Sequence, residues 1–145
     1  CCRDMILHEN TVMGLGDGGA HVGTICDASF ITSLLTHWGR DRVRGEQIDL
    51  PTLVKSQTRD TALAVDLSDR GTLELGKRAD LNVIDFENLN VSVPEIVHDL
   101  PAGGARLQQK SEGYLATICH GSVTYRFGHE TEHLPGRLIR KTGVV

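Results

Sequence analysis

The spacing of apolar positions changes period once along the chain, close to residue 70. Thr11-Val12-Met13-Gly14-Leu15-Gly16 is short, apolar and punctuated by glycine, the pattern of a buried strand running into a loop. Phe30, Ile31, Leu34, Leu35 and Trp38 then recur at helical spacing, with Asp27 placed to cap that helix and Gly39 to end it. A second helix is predicted from Pro51 to about Val65, since proline suits the first helical position. Its inner face is Leu53, Val54, Thr58, Thr61, Ala62 and Val65. Residues 79–86 alternate as a strand, entered through the turn Gly76-Lys77-Arg78. Residues 114–119 and 122–126 flank His120-Gly121, a two-residue hairpin turn. Residues 87–113 carry Pro94, Pro101 and Gly103-Gly104, and read as a long excursion with little regular structure. The pattern predicts an α+β chain, a strand and then helices in the first third and mostly strands after.

Composition narrows the possible partners. With 145 residues the chain is one domain's worth and can bury a core. A net charge of −4 leaves no electrostatic footprint for nucleic acid. The basic stretch from Arg40 to Arg44 and the tail residues Arg137, Arg140 and Lys141 read as solvated surface. No apolar run approaches the roughly 18 residues of a membrane span, so no membrane partner is expected. Cys1 and Cys2 are adjacent, while Cys26 and Cys119 stand alone in apolar surroundings as expected buried thiols. That usage favours a reducing, cytoplasmic setting. The chain opens on Cys1 with no signal peptide, and a piece of something longer is expected.

Residues 14–19 spell Gly-x-Gly-x-x-Gly, which two chemistries claim. In a dinucleotide fold those glycines let a pyrophosphate rest on the start of a helix. Asp17 would repel it from the same amides. The second strand that the fingerprint requires about 20 residues on is also missing, because residues 38–46 are polar and charged. The other reading is a carboxylate, Asp17, held in a glycine-rich turn with His21 four residues beyond. A plain turn with a solvated aspartate stands beside it.

The remaining histidines carry less. His129-Glu130-Thr131-Glu132-His133 spells a zinc-protease motif, which works only on a helix. Gly128 and Leu134-Pro135-Gly136 enclose it too tightly for one, so an exposed polar loop is expected. No His-x-His pair and no Gly-x-Ser-x-Gly occurs. His120 reads as a turn residue and His37 as a helix-surface residue.

Five segments share one order. They are Gly14-Leu15-Gly16-Asp17-Gly18-Gly19-Ala20-His21, then Gln57-Thr58-Arg59-Asp60-Thr61-Ala62, then the run from Asp69 to Asp85 with its Gly71-x-Leu73-x-x-Gly76-x-x-Ala79-Asp80-Leu81 spacing. Asp99-Leu100-Pro101-Ala102-Gly103-Gly104 and Leu134-Pro135-Gly136-Arg137 complete the set. This arrangement resembles the C-terminal part of the metal-dependent amidohydrolase superfamily, and within it the D-aminoacylase (N-acyl-D-amino-acid deacylase) branch. The likeness runs from about His8 to Lys141.

The resemblance implies a fold and a site. Residues 1–70 would be the end of a (β/α)8 barrel: its last strand, the Asp17 loop and two helices. Residues 71–145 would be strands of a β-sandwich beside it, with the long loop at 87–113. Barrel active sites lie at the C-terminal ends of the strands, where Asp17 would stand. The implied chemistry is zinc-assisted hydrolysis of N-acyl-D-amino acids, in which the metal lowers the pKa of a bound water. Asp17 would take that water's proton and pass it to the departing amine, and would stand close enough to touch the metal alongside ligands from upstream. Gly18 and Gly19 would leave room for substrate, and His21 would contact its carboxylate or make a structural hydrogen bond. The family's histidine ligands lie upstream of the matching region, and a barrel takes about 250 residues. The resemblance therefore implies that the chain alone binds no zinc, is inactive, and self-associates through uncovered apolar surface. The alternative is a non-catalytic β-rich module, oligomerising or binding a small ligand, derived from an amidohydrolase.

Overall fold

The computed structural model describes residues 1–14, 16, 23 and 27–139. After a short helix α1 (Cys2–Ile6), residues 11–14 adopt no regular structure and Val12 is exposed. The predicted strand is therefore not formed over 11–14. A strand needs a hydrogen-bonding neighbour, and the strands among the described residues pair with one another much further along.

The first predicted helix exists with altered ends. It begins as a 3₁₀ turn, Asp27–Ser29, continues as α2 (Phe30–Ser33), and widens into π-helical turns over Leu34–Asp41. Ser29 rather than Asp27 occupies the cap position of α2. Gly39 does not end the helix; it lies within the π-helical turns, where an added Cβ would sit 3.1 Å from Leu53 Cδ1. Close packing against the next helix is the reason for a glycine there.

The second predicted helix is two. Asp49 caps α3 (Leu50–Gln57), its carboxylate accepting from Thr52 N at 3.0 Å, and Pro51 stands in the first turn. Thr58 breaks the run (φ −121°, ψ −79°) before α4 (Arg59–Ala64). Its hydroxyl donates back to Val54 O at 2.8 Å, a bond that competes with the helical ladder. Leu53 and Ala62 are buried as the pattern predicts, whereas Val54, Thr58 and Val65 are exposed: Val54 points about 100° around α3 from Leu53, and Thr58 and Val65 lie at the break and at the end of α4.

Among the described residues eight strands follow: β1 (Leu81–Ile84), β2 (Asn90–Val91), β3 (Glu95–Leu100), β4 (Gly104–Gln108), β5 (Ser111–Glu112), β6 (Tyr114–Cys119), β7 (Ser122–Arg126) and β8 (His129–Glu130). The main sheet is antiparallel in the order β1-β6-β7-β8. His120 and Gly121, at φ 49° and 80°, make the two-residue turn between β6 and β7 as predicted.

The excursion at 87–113 is more regular than its prolines suggest. β3 and β4 pair as a hairpin, and β2 and β5 pair at its base. The Pro101–Gly103 stretch that reads as a breaker is the hairpin turn, with Ala102 and Gly103 both left-handed. Arg106 and Asp99 clasp it through two bonds of 2.7 and 2.6 Å.

Leu35, Ile48, Leu53 and Leu89 form the core, with Trp38, Ile84, Phe86 and Tyr114 packed around it. The described residues are thus mixed helix and strand, with the helices and later strands in the predicted order but without the first strand over 11–14, and no helix among them is long and apolar enough to cross a membrane. Cys119 is half-buried rather than buried, and Cys26 lies outside the described residues.

Candidate functional site

Asp17, Gly18, Gly19 and His21 lie outside the described residues. What is described is the frame downstream of them. Ser29 and Thr32, on the first turns of the helical run, are buried. A buried hydroxyl is costly unless bonded. The Ser29 hydroxyl hydrogen-bonds the Gln109 side-chain oxygen, and the Gln109 amide donates to Ser92 O at 3.0 Å. Thr32 Oγ1 and the Tyr114 hydroxyl share a bond of 2.8 Å. These side chains tie the start of the helix to the β half, across some 80 residues of sequence.

Alongside runs a cleft of about 370 Å³. Phe30, Leu34 and Trp38 form its apolar wall, one face of the helical run, while Ser29, His37 and Gln109 bring polar groups to it. The exposed His37 ring stands perpendicular to Trp38, with centroids 5.4 Å apart, so it is a helix-surface residue as its spacing indicates.

The segment from Asp69 to Asp85 builds a charged network. Arg78 Nε lies 2.7 Å from Asp80 Oδ2, and Arg70 Nη1 lies 3.5 Å from the same oxygen. Arg70 also pairs with Asp69 at 2.8 Å, and Arg78 Nη2 donates to Cys119 Sγ at 3.3 Å. Asp80 accepts the backbone N–H of His120 at 2.8 Å, which fixes the β6–β7 turn to the entrance of β1. Burial pushes the Asp80 carboxyl upward, but hydrogen bonds from Arg78 and His120 N–H, with both arginine charges, hold it below the usual carboxylate value. Every partner in this network is paired, so it organises the fold rather than presenting a free reactive group.

The His129–His133 stretch is not helical. His129 and Glu130 form the edge strand β8 and both are exposed, so the two imidazoles do not share a helical face. Residues 38–46 likewise hold helix and bends rather than the second strand of a dinucleotide fold. Among the described residues no group of three or more His, Cys, Asp or Glu could hold a metal ion. They do not, on their own, fit a zinc centre.

Sequence reasoning missed Arg40, Gln109 and Tyr114. Each acts across a long separation in the chain, and local periodicity carries no signal for that. Arg40 reads as solvated surface but donates to the backbone of residues 86, 87 and 89.

The described residues thus form a helical run followed by an antiparallel sheet whose first strand is tied to the β6–β7 turn by the Asp80 network. A profile of the Amidohydrolase family matches residues 2–125. The chain belongs to the amidohydrolase family. No curated protein and no solved structure matches it.

Proposed function

We propose that the chain is the C-terminal part of a zinc-dependent hydrolase cleaving the amide bond of N-acyl-D-amino acids. The observation that carries this reading is the Gly14-to-His21 sequence, glycine-rich with a single carboxylate, lying inside the family match and just before the helical run in the chain. Residues 1–70 are assigned to the end of the barrel and 71–145 to the adjoining sandwich. Residues 11–14 would become a barrel strand only beside neighbouring strands, since parallel strands are paired and covered on both faces.

In this reading Asp17 accepts a proton from the attacking water and returns it to the departing amine. A carboxylate suits both steps because it can hold the proton between them. Gly18 and Gly19 admit substrate against the backbone, and His21 meets the substrate carboxylate. A zinc ion, when bound, would supply polarisation of the scissile carbonyl. Its ligands are assigned to residues upstream of Cys1, where the resemblance puts the family's histidines.

The coding sequence upstream of Cys1 tests the proposal. It should supply a His-x-His pair about 300 to 350 residues earlier, as barrel size requires. The longer protein should hydrolyse N-acetyl-D-amino acids in a zinc-dependent way. The purified 145-residue chain should hold no stoichiometric zinc and show no turnover. Turnover by that chain alone overturns the assignment of the ligands, and a reading frame without the histidine pair favours a non-catalytic module.

A further inference from the structure

We draw no further inference here: the strongest candidate, the cleft of about 370 Å³ along the helical run between Phe30, Leu34, Trp38 and Gln109, is an apolar helix face, and nothing in the structure shows what covers it.

Discussion

The guanidinium of Arg40 donates to the backbone carbonyl of Leu89 at 2.8 Å, reaching from the end of the helical run into the loop after β1. It also donates to Phe86 O at 2.5 Å and Glu87 O at 3.0 Å, and its charge stands 5.7 Å from the Phe86 ring centroid. Leu89 itself is fully buried in the core. One side chain therefore satisfies three carbonyls of a loop that has no sheet partner for them, at the seam between the helical and β halves.

Replacing Arg40 with alanine should cost about 2–4 kcal/mol, since hydrogen bonds to a charged donor each contribute about 1.5–3 kcal/mol and are not additive. Arg40→Lys keeps the charge but loses the planar fork that spans three acceptors, so it should recover less than half of the loss. Urea unfolding of the three proteins measures this. Equal midpoints for wild type and Arg40→Ala would show the contacts to be incidental.

Acid should weaken the fold partly through Asp80. Its folded carboxyl is held below the unfolded value of about 3.9, so its contribution is fully present above that pH. The contribution is lost as pH falls through the folded value. Asp49, held low by the Thr52 N–H, and Asp99, held low by Arg106, change stability in the same direction. Asp80→Asn should therefore be about 1–2 kcal/mol less stable at pH 7 and lose less on acidification. Parallel stability curves for the two proteins between pH 7 and pH 3 would remove Asp80 from the account.

The elements that could be read from sequence are those whose information is local. Pro51 announces the start of α3, whose cap at Asp49 the structure adds, and His120-Gly121 announces the β6–β7 turn through two positions that take positive φ. The break at Thr58 was not legible, because it depends on a side-chain bond to Val54 O and on Gly71 packing against Arg59. Proline and glycine at 101–104 misled for a similar reason: the same residues that interrupt a helix make a hairpin turn once Glu95 and Gln108 are paired. As for the site, sequence supplies Asp17 and His21 as residue types in a pattern. Gln109 and Tyr114, which anchor Ser29 and Thr32 at the start of the helical run, act through contacts about 80 residues apart that no local pattern encodes.

Gly113 and Gly76 form a matched pair for separating backbone strain from steric clash. Their φ values are 91° and 86°, so alanine at either costs about 1–2 kcal/mol for the left-handed conformation. At Gly113 the new Cβ would also stand 2.6 Å from Leu89 Cα and 2.9 Å from Leu89 N, backbone atoms that cannot swing away. At Gly76 it would meet nothing within 4 Å. Gly113→Ala should thus be destabilised by at least about 2 kcal/mol more than Gly76→Ala, in the range expected of overpacking. Similar unfolding midpoints would mean that the β5–β6 junction and the Leu89 backbone move apart easily.

The Thr32–Tyr114 bond offers a double-mutant cycle. Tyr114→Phe leaves the buried Thr32 hydroxyl without that partner, at a cost of about 1–3 kcal/mol. Thr32→Val removes the hydroxyl while keeping the shape. The double variant should be less destabilised than the sum of the single ones, because no orphaned hydroxyl remains. Strict additivity would show that the two residues act independently.

Asp17→Asn is the sharpest probe of the proposed chemistry, and it is to be made in the longer protein that the proposal assigns to this chain. Asparagine keeps the size of the side chain but cannot accept and return a proton. Loss of a general acid–base group lowers rates by about 10²–10⁴-fold, so kcat for N-acetyl-D-amino acids should fall within that range. Zinc content should stay at the wild-type level if Asp17 moves protons rather than holding the metal. KM should change little, because the substituted group acts on the reacting proton and not on the substrate's resting contacts. His21→Ala should do the reverse, raising KM with a smaller effect on kcat, if its imidazole meets the substrate carboxylate. Zinc lost in proportion to activity would reassign Asp17 as a ligand. Full activity in Asp17→Asn would remove it from the mechanism and leave the glycine-rich turn as a structural loop.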